Sequence, residues 1–128
     1  MGKKVLVDTD ILLKSYRGDK TKFQQLQLIK DNFSISVITA FEILNGARNI
    51  KQLASLKKEL KSYSVIHLNT EISIKALQLY SKYTVRQQIK VADLLIAATA
   101  LHYNFQLYTD NKKHFNFMKE IKFYEEKL

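Results

Sequence analysis

The run Val91–Leu101, VADLLIAATAL, constrains this chain more than any other stretch. It is almost wholly apolar, rich in Ala and Leu, and free of Gly and Pro, so it reads as a helix buried on most of its faces. One residue is out of place there. Asp93 sits near the start, and an ionised carboxylate taken out of water costs several kcal/mol unless a charge meets it. Three accounts stand side by side. Asp93 lies at the solvated helix start, where the dipole contributes roughly 0.3–1 kcal/mol; or it pairs with a nearby Lys such as Lys90; or it helps hold a cation at the mouth of the buried helix.

The 128 residues suit one domain, 1–128, with a single core. There is no Cys, which excludes a disulfide framework, a thiolate nucleophile and a zinc–thiolate site. A reducing, cytoplasmic setting fits. The apolar stretch after Lys3 and Lys4 could suggest a signal peptide, but Asp8 and Asp10 interrupt it. Gly2 invites a myristoylation reading, but position 6 is Leu rather than Ser or Thr. No apolar run approaches the ~20 residues a spanning helix needs, so no membrane partner is expected.

The formal charge is +9, from 21 Lys+Arg against 12 Asp+Glu, which favours a polyanionic partner through counterion release. A Lys-rich solvated surface would give the same balance. More informative is where the acids fall. Asp8, Glu42, Asp93 and Asp110 each lie within or beside an apolar run, whereas most others sit in polar, Lys-rich stretches.

In chain order, Lys4–Val7 reads as a strand apolar on both faces, as in a parallel sheet, with Asp8 at its C-terminal end. Asp8 and Asp10 precede a short helix start, but only one can be its N-cap. Arg17-Gly18-Asp19 is a turn and Thr21–Lys30 a helix with a modest apolar face. Ser34–Ile38 is predicted as the second strand. Thr39 with Glu42 three residues on fits a capping box; alternatively Glu42 faces the same sheet edge as Asp8, where open α/β sheets bind ligands. Ile50, Leu53, Leu56 and Leu60 mark an amphipathic helix. Ser64–Leu68 reads as a third strand, and its His67 as a core or edge histidine rather than a ligand. Glu71–Tyr83 is a helix, and polar Thr84–Lys90 leads to Asp93. Gln106–Tyr108 is a strand ending at Thr109-Asp110-Asn111, Lys112–Met118 a short helix, Ile121–Tyr124 a last strand, and Glu125 and Glu126 solvated tail charge. Alternating strands and helices give an α/β fold with a mainly parallel sheet.

Three acids thus follow strand ends and the fourth opens a buried helix. Carboxylates within ~4 Å repel by roughly 1 kcal/mol per pair in water, and about 4 at an effective dielectric of 20. A cluster of them is unfavourable unless protonated or filled by a cation. All-oxygen ligation without His or Cys suits Mg²⁺ or Mn²⁺, and such an ion on a basic protein suits phosphodiester hydrolysis.

Four blocks carry a resemblance: Val7-Asp8-Thr9-Asp10; Val37 to Ala47; Ala92 to Ala100; and Tyr108-Thr109-Asp110-Asn111-Lys112-Lys113-His114-Phe115. In this order they resemble the signature blocks of PIN-domain ribonucleases, and among these the VapC-type toxins of toxin–antitoxin pairs. The resemblance covers the whole chain. It implies a three-layer α/β/α domain, Mg²⁺- or Mn²⁺-dependent RNA cleavage, inhibition by a small VapB-like antitoxin, and a homodimer. It places Asp8, Glu42 and Asp93 in the family's first three acidic positions. In the fourth block the family's Thr-x-Asp or Thr-x-Asn puts Asn111 in the third place and Asp110 in the variable one, so either completes the metal shell. Thr9 or Asp10 then orients Asp8, Thr109 hydrogen-bonds a site carboxylate, and Arg86 and Lys90 are candidates for RNA phosphate contact.

Two other readings compete. Asp8-Thr9-Asp10 after a strand also fits a haloacid-dehalogenase-type phosphatase, in which the first Asp attacks phosphorus and the second is the acid/base; apart from the tail's Glu125-Glu126 no adjacent acidic pair follows a later strand, and the chain is short for a cap. A non-catalytic PIN scaffold that binds RNA or protein is the other, against which the three matching acids count.

Overall fold

The computed structural model describes residues 3–128; the readings that rest on Met1 and Gly2 lie outside the described residues. Four strands, β1 (Val5–Val7), β2 (Phe33–Ser36), β3 (Val65–Ile66) and β4 (Gln106–Tyr108), form one parallel sheet in the order β3-β2-β1-β4. Six α-helices connect and cover them: α1 (Thr9–Tyr16), α2 (Lys20–Leu28), α3 (Val37–Asn45), α4 (Ile50–Leu60), α5 (Thr70–Tyr83) and α6 (Val91–Tyr103).

The period of two along each strand sorts side chains into two cores. Val5 and Val7 join Ile35 and Tyr108 beneath α1 to α4, while Leu6 and Leu107 face α5 and α6. The sheet is therefore a buried middle layer, which is why β1 is apolar throughout. The helix at Val91 is buried as expected: Leu94, Ile96, Ala97, Ala98, Thr99 and Ala100 are all inaccessible. Its alanines let it sit close against α5. It closes at Asn104, which takes the left-handed conformation (φ 57°) that Asn tolerates at a helix end. Gly18, at φ 104°, makes the turn between α1 and α2.

Several elements depart from expectation. The second strand stops at Ser36, because the Ser36 hydroxyl accepts from Ile38 N at 3.0 Å and caps α3 three residues earlier than a Thr39 cap would. Thr39 is inside the helix, fully buried, and its Oγ1 has no hydrogen-bond partner, so no capping box forms. The third strand shortens to two residues, and His67 lies exposed beyond it. Lys112–Met118 holds only a single 3₁₀ turn, Lys112–His114. Ile121–Tyr124 makes one isolated parallel bridge, Phe123 to Leu107. Glu126 is not free tail charge: its Oε2 accepts from Lys22 Nζ at 2.5 Å and from Tyr108 OH at 2.6 Å. Gln25, buried on α2, holds the same tail by accepting from Tyr124 OH and Lys127 N and donating to Lys127 O.

Candidate active site

Parallel strands bring the ends of β1, β2 and β4 to one edge of the sheet. α6 runs back to feed β4, so its first turn, with Asp93, returns to that same edge. The topology alone thus gathers Asp8, Glu42, Asp93 and Asp110 on the carboxyl side of the sheet, where α/β proteins bind ligands.

Asp8 is the N-cap of α1. Its Oδ1 accepts from Thr9 N at 2.8 Å, and its Oδ2 accepts from Thr109 Oγ1 at 2.9 Å, which ties the end of β1 to the end of β4. Thr109 Oγ1 in turn accepts from Asn111 N at 3.0 Å, fixing the loop; the Asn111 side chain is exposed. Thr9 Oγ1 donates to Glu42 Oε1 at 2.5 Å and brings α3 to the same place. Asp10, in the first turn of α1, accepts from Asp110 N at 3.0 Å through Oδ2, while its Oδ1 is buried without a partner among the described residues.

The electrostatics follow from burial. Asp8 is 6% exposed, and its carboxyl is pushed up to about 7, first by burial and then by the charges of Asp10 and Glu42, against the hydrogen bonds from Thr109 and Thr9. Asp10 is raised by burial and by Asp110. Asp93 is raised by burial, and His114 and Lys90 pull it back. Asp110 goes the other way. Burial disfavours its charge, but Lys14 Nζ (2.6 Å) and Lys22 Nζ (3.0 Å) hold it below the ordinary range.

Asp8, Thr9, Glu42, Thr109 and Asn111 therefore form one hydrogen-bonded network, with the Asp10–Asp110 pair alongside it. Asp93 is not bonded into it; its Oδ2 faces His114 Nδ1 at 3.4 Å. Among the described residues, no three or more of His, Asp and Glu stand close enough as a set to hold a metal ion. The donor chemistry nevertheless suits a hard divalent cation: the oxygens are carboxylates, one on Asp10 is buried and unpaired, and Asp8 has no cationic partner among the described residues. Lys90 and Arg86 are both exposed; of the two, Lys90 lines a cavity with Asp93.

Three participants escaped the sequence reading. His114 was inside the fourth block but unassigned. Lys14 stands four residues after Asp10 on α1, a spacing that does put them on one face. Lys22 carries no local signal; it is buried between Asp110 and Glu126, far away in sequence.

Residues 5–120 match the family model described as the PIN domain. This chain belongs to the PIN-domain family. Ribonuclease VapC1 of Methanocaldococcus jannaschii is 34% identical to it over 92% of this chain and 83% of that protein. Ribonuclease VapC10 of Mycobacterium tuberculosis is 29% identical over 92% of this chain and 90% of that protein. Among solved structures, a toxin–antitoxin complex from Klebsiella pneumoniae superposes with a TM-score of 0.78 at 27% identity, covering 92% of this chain and 95% of that one. DNA-bound VapBC from Salmonella typhimurium reaches 0.86 at 19% identity over 96% and 98%, a likeness of fold. The three-layer α/β/α PIN fold is thus shown. It displaces the haloacid-dehalogenase alternative, which the geometry also disfavours: Asp8, the required nucleophile, is buried with both oxygens engaged.

Proposed function

We propose that this PIN domain is a divalent-metal-dependent endoribonuclease and the toxin of a VapBC-type pair. The observation that carries the reading is Asp8: a buried carboxylate, positioned by Thr9 and Thr109 from two strand ends, beside Glu42 and Asp10, with no cation among the described residues to match it. In a chain of net charge +9, that patch of uncompensated negative charge has its use in attracting a cation. The 34% identity to a ribonuclease supports the substrate class.

Asp8 and Glu42, joined through Thr9, would supply the first oxygens for Mg²⁺ or Mn²⁺, and Asp93, which stands apart from them in the metal-free fold, would draw in to complete the set. When bound, such an ion supplies polarisation of the phosphodiester and neutralises the leaving oxygen. The chain's own residues do the arranging. Thr109 and the Thr9 amide fix the rotamer of Asp8, and the Thr9 hydroxyl fixes Glu42. Asp110, matched by Lys14 and Lys22, contributes by anchoring rather than by ligation: its backbone N–H holds Asp10 in place. Asn111 and Arg86 keep the supporting and RNA-contact roles expected of them.

A small VapB-like antitoxin is the proposed protein partner, in keeping with the Klebsiella and Salmonella complexes. Self-association as a homodimer is supported by Ile74 and Leu77, which α5 leaves 53% and 67% exposed. No described helix is long and apolar enough to cross a membrane.

The test is incubation of the purified chain with assorted RNAs, with Mn²⁺, Mg²⁺ or EDTA, alongside Asp8→Asn. Cleavage by the wild type alone, abolished by EDTA, is expected. A non-catalytic scaffold would show no cleavage and no Mn²⁺-linked rise in Tm.

A further inference from the structure

Two cavities meet beside Asp93. One, of about 140 Å³, is lined by Asp93 together with Lys90, Lys113, His114, Gln87 and Gln88. The other, of about 400 Å³, is lined by Gln87, Gln88, Lys90 and, at its far end, Tyr80. The three shared residues set the two side by side, so that together they make a groove from the acid at the head of α6, past Gln87 and Gln88, to Tyr80 on α5. The larger part alone is in the size range of ligand pockets.

The chemistry changes along this groove in a definite order. Next to Asp93 stand two ammonium groups, Lys90 and Lys113, with the His114 imidazole. In the middle are two exposed primary amides, Gln87 and Gln88, each able to donate and accept. At the far end is an aromatic ring, Tyr80, 40% exposed. Cation, amide and aromatic face are the three groups that single-stranded RNA requires: one for phosphate, one for base edges, one for stacking.

The groove is also held in shape. Tyr83 OH donates to Glu120 Oε1 at 2.6 Å, and its backbone carbonyl accepts from both Arg86 N and Gln87 N at 3.1 Å. Lys113 and His114 are brought across by the 3₁₀ turn that follows Asp110 and Asn111. A groove already formed before binding loses little to ordering.

We propose that this groove is the nucleotide-reading subsite of the enzyme: Lys90 and Lys113 take a backbone phosphate next to the cleaved bond, Tyr80 stacks a flanking base, and Gln87 and Gln88 read base edges, so that these residues set which single-stranded sequence is cut. The assignment rests on the ribonuclease reading above. It selects against duplex RNA, whose bases are already stacked and paired.

The experiment measures binding of fluorescein-labelled six-nucleotide homopolymers of A, C, G and U to the full chain in EDTA by anisotropy, and in parallel maps the cuts made in a mixed-sequence RNA with Mn²⁺. Melting curves establish that each variant is folded. Lys90→Ala with Lys113→Ala should weaken all four homopolymers alike, by about tenfold or more, and reduce the salt slope by roughly one. Tyr80→Ala should weaken binding by at least about fivefold. Gln87→Ala with Gln88→Ala should leave mean affinity within a few-fold but flatten the preference among homopolymers and broaden the cut pattern. An unchanged cut pattern and unchanged preference in the glutamine variant, with wild-type binding by Tyr80→Ala, overturns the groove while leaving the nuclease intact. Absence of any cleavage by the wild type, with homopolymer binding that still depends on Tyr80 and the lysines, fails the nuclease reading instead.

Discussion

Replacing Asp8 by Asn separates function from stability, and the direction of the stability change is unusual for a buried polar residue. In an unfolded chain Asp8 ionises near 3.8; in the fold it ionises near 7. Below about pH 3.8 both states keep the proton and the residue is neutral in effect. As the pH rises the unfolded chain releases its proton first, so stability falls, and above about 7 the full cost is present. The interval corresponds to roughly 4 kcal/mol. Asn avoids this charge. Its amide nitrogen can donate to Thr109 Oγ1, but the Thr109 hydroxyl then loses its acceptor, at about 1 kcal/mol. The net expectation in EDTA is a gain of about 2–3 kcal/mol near pH 8, or roughly 10 °C in Tm, shrinking to near parity by about pH 5. Circular dichroism melts of both proteins at the two pH values measure it. Mn²⁺ should reverse the order at pH 8, because only the wild type gains a ligand. A variant no more stable than wild type at pH 8, or a gap that ignores pH, would refute the claim that Asp8 is uncompensated in the metal-free fold.

Other changes follow from the same contacts. Asp93→Asn should abolish cleavage while shifting metal-free stability by less than about 1 kcal/mol, since the charge it removes is disfavoured by burial and only partly matched by His114 and Lys90; marked unfolding in urea would make the pair with His114 structural. Lys22→Met strips Asp110 and Glu126 of a shared ammonium and should cost about 2 kcal/mol in urea denaturation, discounted because both acids are about a third exposed; adding Glu126→Gln should recover part of it. Thr39→Val replaces a buried hydroxyl that has no partner and should be neutral or stabilising by up to about 1 kcal/mol in the same assay.

Much of the architecture was legible because it depends on period and polarity. β1 is apolar on both faces and sits mid-sheet; α6 is apolar all round and sits between α5 and the sheet. The positions of Asp8, Glu42 and Asp93 at one sheet edge follow from strand–helix alternation. What failed to show were choices between local partners. Ser36 and Thr39 are both competent caps, and nothing local says that the chain turns at the first. Phe123 has the composition of a strand residue, but only one bridge forms. Least visible were the long-range ion pairs: Lys22 meets Asp110 and Glu126 across separations of 88 and 104 residues, and no spacing rule reaches that far. That is why Asp110 reads from sequence as a candidate metal ligand and not as an acid already paired with lysines.

The tail hydrogen bonds have a further consequence. β4 pairs with β1 on one side only, and on the other Leu107 N donates to Lys122 O while Tyr124 N donates to Leu107 O. Gln25 then uses both ends of its amide on the Lys127 backbone, as a neighbouring strand would. The final residues thus act as a guard rail: they occupy donors and acceptors that would otherwise invite another chain to add a strand. Trimming the protein after Glu120 would be felt first as clumping at high concentration, before any loss of catalytic chemistry.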